Sequence, residues 1–204
     1  MGTISEFHLV RYLALYNITL QEITLVDLTT PERWVNATAD GDVDAIAMAQ
    51  PYADAARARL GTNAVSWPVQ SDRPLFALVA ATDRWIEQHP DTARRFLVSL
   101  AEAEAYAGAH PAESGAILQK RLNLDPGYME TVWQQNRFAL SLDQSLVAAM
   151  GDEGRWMIAN NLTNATAIPD FTKYISATAL EDVNPAAVKI IGNIDDRGPE
   201  GVGR

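Results

Sequence analysis

The chain has 204 residues, of which 48% are hydrophobic, and this suits one large domain with a buried core. Its 26 acidic and 16 basic residues give a formal net charge of -10, which disfavours nucleic acid as a partner. The absence of cysteine excludes disulfides, thiolate nucleophiles and cysteine-ligated metals, and no apolar run approaches the roughly 18–20 residues of a membrane span.

The opening segment GTISEFHLVRYLALYN predicts an amphipathic helix over residues 4–17, and the start of this helix admits two interpretations. Thr3 and Glu6 fit a capping box, in which the Thr3 hydroxyl accepts from the Glu6 N–H and the Glu6 side chain accepts from the Thr3 N–H. The same start presents backbone N–H groups and the positive end of a helix dipole, which favour an anionic ligand. The residues alone leave both interpretations open.

Alternating helices and strands are predicted over the first 82 residues. Thr30 followed by Pro31 begins a helix that Gly41 ends, and a shorter helix follows Pro51 and ends at Leu60. Four β-rich or apolar runs predict strands: ITLVDL (23–28), VDAIAMA (43–49), NAVSWPV (63–69) and PLFALVAAT (74–82). This order indicates an α/β layered sheet with parallel strands.

From residue 83 onward the pattern predicts successive helices. His89, His110 and Asp125 each precede a proline and punctuate them, and a further helix is expected from residue 141 to about residue 161. Gly151 and Gly154 weaken that helix, and a close packing contact would explain them. We therefore expect an α/β ligand-binding lobe at residues 1–82, a helical part at 83–192 and a Gly-rich, charged, disordered tail at 193–204.

Residues that could carry catalysis are few. His89 and His110 serve helix junctions, no second histidine stands at metal-ligand spacing, and we predict neither a catalytic triad nor a metal site. Asp42 and Asp44 are interpreted as solvated turn residues rather than an acid–base pair, and the AEAEAY run at 101–106 as a solvated helix face. The chain is therefore expected not to be an enzyme and to need no cofactor.

Three polar or aromatic residues are better placed to bind a ligand. Gln50 and Tyr52 follow the predicted strand 43–49, and open α/β sheets bind ligands beyond the carboxyl ends of their strands. Their amide and hydroxyl groups can orient a small ligand without chemistry. Trp67 is freer to reach a cleft than the tryptophans at helical spacing, for which core positions are expected: Trp85, Trp133 and Trp156.

Taken in order, residues 2–18, 23–52 and 75–103 resemble the nitrate/sulfonate/taurine-type solute-binding proteins of ABC importers. The later stretches LDQSLVAAM and RWMIANN resemble the C-terminal helices of the same family. The resemblance implies a type II periplasmic-binding-protein-like fold, in which two α/β lobes close on a ligand. The expected fold class is therefore α/β, with one parallel-sheet lobe followed by a mainly helical C-terminal part.

The resemblance also implies where a ligand binds. In such proteins the helix start supplies N–H and hydroxyl groups to an oxyanion, and the stretch matching residues 50–52 lies at the cleft edge. The predicted ligand-binding residues are Gly2, Thr3, Ile4, Ser5, Glu6, Gln50, Tyr52 and Trp67. Glu6 either occupies the donors as a cap or places a carboxylate beside the anion, so a zwitterionic or amine-bearing ligand reconciles the cap with binding.

Partners and location follow from the same resemblance. It implies the membrane subunits of an ABC importer as partners and a periplasmic or extracellular location, although no signal peptide is visible in this chain. In relatives a first lobe and a strand precede the Gly-Thr step, so we expect a truncated form, able to form a homodimer through its exposed cleft face.

Two alternative functions remain open at this stage. The first is an enzyme of thiamine-pyrimidine or menaquinone precursor synthesis on the same fold, although the thiamine-type relatives depend on a Cys-rich motif that this chain lacks. The second is a stand-alone sensory or interaction module.

Overall fold

A computed structural model describes residues 2–70, 74–132 and 135–191. The chain forms two compact units, Met1–Leu75 and Phe76–Arg204. The tail expected at residues 193–204 and the predicted core residue Trp133 lie outside the described residues. The described part is mainly helical, and no helix in it is both long enough and apolar enough to span a membrane.

Three α-helices are described in the first unit: α1 (Ile4–Ala14), α2 (Pro31–Asp40) and α3 (Tyr52–Leu60). Short 3-10 turns follow α1 and α3, at Leu20–Glu22 and Gly61–Asn63. The boundaries of α2 confirm the sequence signals, because the Thr30 hydroxyl accepts from the Arg33 N–H at 3.4 Å and Gly41 ends the helix at φ +82°. An L-residue with a side chain rarely adopts this φ, so glycine is the natural stop.

The buried apolar residues described in the first unit are Phe7 on α1, Ala37 on α2 and Ala56 on α3. Helices α2 and α3 pack against each other. Arg59 on α3 reaches back to α2, where it donates to the Asn36 side chain and pairs with Asp40 at 3.2 Å. Both members of the ion pair are exposed, so its contribution to stability is small.

Six α-helices are described in the second unit: α4 (Asp83–Gln88), α5 (Pro90–Ala109), α6 (Pro111–Leu122), α7 (Pro126–Val132), α8 (Gln144–Ala159) and α9 (Thr178–Val183). The predicted junctions are confirmed. His89 and His110 each end one helix and precede the next, with similar non-helical backbone angles (φ -134° and -130°). A residue before proline is disfavoured in the helical region, so each His-Pro step breaks the helix.

Packing in the second unit explains one of the two helix-weakening glycines. Helix α8 contacts the 3-10 turn at Phe171–Tyr174, and a Cβ at Gly154 would lie 3.4 Å from the Phe171 ring. A packing contact as predicted is therefore present at Gly154, where a Cβ would be at van der Waals distance from the ring, whereas among the described residues a Cβ at Gly151 would contact only the Arg155 side chain. Helix α5 packs against α6 and α9, and the buried apolar residues of this unit lie in α8 or near α9: Leu146, Ile175, Ala177, Leu180 and Ala187.

The second unit contains a two-stranded parallel sheet that was not predicted. Strand β1 (Leu142–Asp143) pairs with β2 (Val188–Lys189), with Leu142 opposite Val188. Asp143 is also the N-cap of α8, because its carboxylate accepts from the Ser145 N–H at 2.9 Å. The helix therefore begins at Gln144, after the strand and the cap, and not at residue 141 as predicted.

The four strands predicted in the first 82 residues are wrong for the described residues. Segments 23–28, 43–49, 63–69 and 74–82 form no β-ladder there, so the parallel sheet expected of this lobe is not seen. Val26, Val65 and Val79 are more than half exposed, although their β-branched side chains favour strands. A strand is stabilised by hydrogen bonds to a neighbour, and the local pattern does not specify that neighbour.

Candidate functional site

The start of α1 is a capped helix end on the surface of the first unit. The Thr3 hydroxyl accepts from the Glu6 N–H at 3.3 Å, as the capping box predicts. The Glu6 carboxylate returns one residue further than predicted and accepts from the Gly2 N–H at 2.6 Å instead of from Thr3. Gly2 adopts φ +80°, a left-handed conformation that glycine tolerates and that is compatible with this longer reach.

Two first-turn donors are left outside the cap. The Ile4 and Ser5 N–H groups belong to the turn whose donors have no intrahelical acceptor, and no side chain in the described ranges caps them. Together with the Ser5 hydroxyl they form a small donor set at the positive end of the helix dipole. Glu6 stands beside them with a negative charge, so the helix end offers both donors and a carboxylate.

Gln50 and Tyr52 have structural partners within the first unit. The Gln50 side-chain oxygen accepts from the Asp54 N–H at 3.1 Å and so caps α3 from a cis Gln50-Pro51 peptide. The Tyr52 ring packs edge-on against Trp34 at 5.2 Å between centroids. Trp34 in turn donates its indole N–H to the Leu28 carbonyl. The Gln50 NH₂ group and the Tyr52 hydroxyl are the polar atoms that these contacts leave for a ligand.

The structure does not join the predicted site residues by direct contact. Within residues 2–70, no hydrogen bond, ion pair or ring contact links the α1 start to Gln50, Tyr52 or Trp67. Trp67 is 60% exposed in the unpaired segment 63–69, in keeping with a freer tryptophan. Of the tryptophans expected in the core, Trp156 is half-buried and Trp85 is exposed against the His89 ring.

The carboxylates with lowered pKa values serve helix caps rather than the predicted site. Hydrogen bonds from the Ser145 hydroxyl and backbone lower the pKa of Asp143, and those from Thr172 lower the pKa of Asp170 in the same way. The Thr19 N–H and hydroxyl lower the pKa of Glu22. In contrast, burial raises the pKa of Glu153 on α8. The lowered pKa values therefore reflect carboxylates that are stabilised by hydrogen bonds in helix caps, and the raised pKa of Glu153 reflects a partly desolvated carboxyl group.

The residues considered for acid–base or metal chemistry lie apart. Asp42 and Asp44 are exposed in the turn after Gly41, which confirms them as turn residues. His89 and His110 stack on Trp85 and Tyr106, aromatic residues one helical turn earlier. Among the described residues, no three histidine or carboxylate side chains come together as a group that could hold a metal ion.

The second unit contains a cavity that no sequence pattern predicted. It has a volume of about 520 Å³ and lies at the α5–α6 corner, where Glu104 and Phe138 form part of its wall. Glu104 was expected on a solvated face, but it is half-buried and accepts from the Leu140 N–H at 2.8 Å. No local signal reveals this contact, because the two residues are 36 positions apart.

Comparison with known families identifies the broad protein family of the chain. The model of the NMT1-like family matches residues 2–120, more than half of the chain. The chain belongs to the NMT1-like family. The match spans the α1 start, Gln50, Tyr52 and Trp67 and ends within α6. No curated protein and no solved structure matches the chain.

Membership of this family agrees with the ABC-transporter substrate-binding proteins in the broad sense. It indicates a solute-binding or related function. The matched residues hold the donor set at the α1 start and the polar groups of Gln50 and Tyr52. Chemically, these groups can bind and orient a small polar ligand.

Proposed function

We propose that this chain is a solute-binding component of an ABC importer and binds a small anionic or zwitterionic compound of the nitrate, sulfonate or taurine type without converting it. The observation that carries the proposal is the NMT1-like match over residues 2–120, because it includes every predicted ligand-binding residue. The proposed partners are the membrane subunits of the importer. The proposed location is periplasmic or extracellular, and the proposed fold is one lobe of the type II kind.

The chemistry of the α1 start favours a zwitterion over a simple anion. Ile4 and Ser5 can donate to an oxyanion such as a sulfonate. The Gly2 and Glu6 N–H groups are already used by the cap, and the Glu6 carboxylate would repel a simple anion. A ligand that also carries an ammonium group turns this repulsion into attraction. Taurine, an aminosulfonate, has this combination of charges.

A thermal melt of the purified chain, followed by tryptophan fluorescence, tests the proposal. The panel is taurine, ethanesulfonate, nitrate and ethylammonium, so that each half of the zwitterion is tested separately. At a ligand concentration about 100-fold above Kd, mass action raises the midpoint by roughly 5–10 °C for a chain of this size. Taurine is expected to give the largest rise. Product analysis of the same samples is expected to show taurine unchanged.

Matched variants test which residues are responsible for the rise in the melting midpoint. Glu6→Gln keeps an oxygen that can accept from Gly2 and removes the charge, so it is expected to abolish the preference for taurine over ethanesulfonate. Glu32→Gln removes an acidic residue from the first turn of α2 and is expected to leave the preference unchanged. Tyr52→Phe retains the ring against Trp34 and is expected to weaken binding. A panel without any rise, or a preference that survives in Glu6→Gln, contradicts the proposal.

A second candidate, an interaction module that self-associates, is favoured by exposed apolar side chains. Val65, Trp67 and Val26 are 70%, 60% and 53% exposed, and they lie on extended segments without a strand partner in the described ranges. Exposed apolar side chains on extended segments are typical of surfaces that associate. The net charge of -10 opposes association of identical copies at low salt.

Sedimentation at several protein and salt concentrations tests this candidate. Self-association that strengthens with salt and that Trp67→Asp weakens is expected if these segments form the interface. Leu15→Asp is the matched control, because Leu15 is also exposed but lies just after α1. A monomer at every concentration, or equal weakening by both variants, contradicts it.

A further inference from the structure

The cavity at the α5–α6 corner has the features of a second binding site, separate from the α1 start. It measures about 520 Å³, which falls within the range of small-molecule pockets, and its wall is mostly apolar. The apolar part of the wall includes Ala107, Gly108, Ala112 and Phe138. All of these residues belong to the second unit.

One charged group stands in this wall. Glu104 is half-buried, and the Leu140 N–H donates to its Oε2 atom at 2.8 Å, which holds the carboxylate in place. The other carboxylate oxygen has no protein partner among the described residues. A fixed carboxylate in a mostly apolar wall favours a cation with N–H donors, since a charge-assisted hydrogen bond is stronger than a neutral one.

Two helix ends meet at this cavity, and their dipoles have opposite signs there. The C-terminal end of α5, a 20-residue helix, attracts positive charge, whereas the N-terminal end of α6 attracts negative charge. Pro111 at the start of α6 has no N–H, so the first position of that helix offers no donor to an anion. The chain as a whole carries a net charge of -10, which also attracts cations.

Gly108 is a part of the wall at which a side chain would meet open space. It lies within helix α5 without a positive φ, and a Cβ there would have no heavy atom within 4 Å. Neither backbone conformation nor crowding therefore requires glycine at this position, and alanine would favour the helix. A larger side chain at position 108 would extend into the open space of the cavity.

We propose that this cavity binds a small organic amine, with its ammonium group on Glu104 and its apolar body against Gly108 and Phe138. The site takes a cation and does not depend on the function proposed for the α1 start. Phe138, which is 47% exposed, gains apolar contact when the amine is bound.

Saturation-transfer NMR with benzylammonium as the probe tests the proposal on the full chain. Benzylammonium is expected to bind, whereas benzoate and benzyl alcohol, which share its ring, bind more weakly or not at all. Glu104→Gln keeps an acceptor for Leu140 and removes the charge, and it is expected to weaken binding about tenfold. Gly108→Leu is expected to abolish binding by filling the cavity.

Two control variants distinguish binding in the cavity from general effects of charge and of helix propensity. Glu102→Gln removes an exposed charge from the same helix and is expected to leave the affinity unchanged. Gly108→Ala adds helix propensity with only one methyl group and is expected to retain binding. The proposal is overturned if benzylammonium does not bind, if benzoate binds equally well, or if Glu104→Gln and Gly108→Leu bind as the unchanged chain does. Taurine binding at α1 is measured independently, so failure at one site leaves the other intact.

Discussion

At the scale of single residues, Glu6 connects the capping role of the α1 start to its proposed role in binding. Its carboxylate accepts from the Gly2 N–H while its own N–H donates to the Thr3 hydroxyl. The sequence signature S/T-x-x-E predicted that Thr3 caps the helix, because this pattern acts locally. It did not predict which N–H Glu6 would engage, since that depends on the φ of +80° at Gly2.

The cap makes a prediction about stability. Thr3→Ala removes the acceptor for the Glu6 N–H and is expected to lower the free energy of unfolding by about 1 kcal/mol. Thr3→Ser retains a hydroxyl and is expected to stay close to the unchanged chain. Urea unfolding, followed by tryptophan fluorescence, measures both variants. Equal stability of the alanine and serine variants would show that the hydroxyl does not cap α1.

Glu153 makes a prediction about pH. Burial raises its pKa in the folded state, so the folded chain favours the protonated form. The stability linked to this group is fully present below the ordinary pKa of glutamate and is lost as the pH rises through the raised folded-state pKa. Glu153→Gln is therefore expected to stabilise the chain at about pH 7 and to have much less effect near pH 4.

Urea unfolding at the two pH values tests this dependence, with the exposed Glu102→Gln variant as the control for loss of one negative charge. A stabilisation by Glu153→Gln that is the same at both pH values would contradict a desolvated carboxyl at this position.

At the scale of elements, the sequence predicted the helices because their boundaries are set by adjacent residues. Thr30-Pro31 and Gly41 bracket α2, and the prolines after His89 and His110 divide α4, α5 and α6. The strands were mispredicted because β-propensity describes suitability for a sheet, whereas pairing with a distant segment decides whether one forms. Strand β1 shows the converse, since Leu142 pairs with Val188 although the segment is too short to give a pattern.

The contact between α8 and the 3-10 turn predicts how α8 tolerates a side chain at Gly154. A Cβ there would already lie at contact distance, 3.4 Å, from the Phe171 ring, so we expect the γ-carbons of Gly154→Val to crowd the ring. Overpacking of this kind costs about 1–3 kcal/mol. Gly108→Val makes the same substitution in a helix with open space and is expected to cost less. Thermal melts of both variants measure the difference, and equal midpoints would contradict the close contact.

At the scale of the whole molecule, the broad family was accessible from the sequence, while the surroundings of the candidate residues were not. The order of segments over residues 2–103 gave a resemblance to solute-binding proteins, and the NMT1-like match covers the same region. The hydrogen bond from Leu140 to Glu104 and the cap that Gln50 provides for α3 depend on the folded chain. The spacing of residues in the sequence therefore indicates which side chains could bind a ligand. Contacts in the folded chain determine which of their polar atoms are still available to that ligand.

We propose that the start of α1 binds a small zwitterion through Ile4, Ser5 and Glu6. The most direct test is a titration of the ¹⁵N-labelled chain with taurine, in which NMR follows each backbone amide separately. We expect saturable shifts that are largest at the Ile4 and Ser5 amides, and we expect Glu6→Gln to weaken the taurine affinity to that of ethanesulfonate. Unchanged Ile4 and Ser5 amides at saturating taurine, or shifts concentrated elsewhere in the chain, would contradict it.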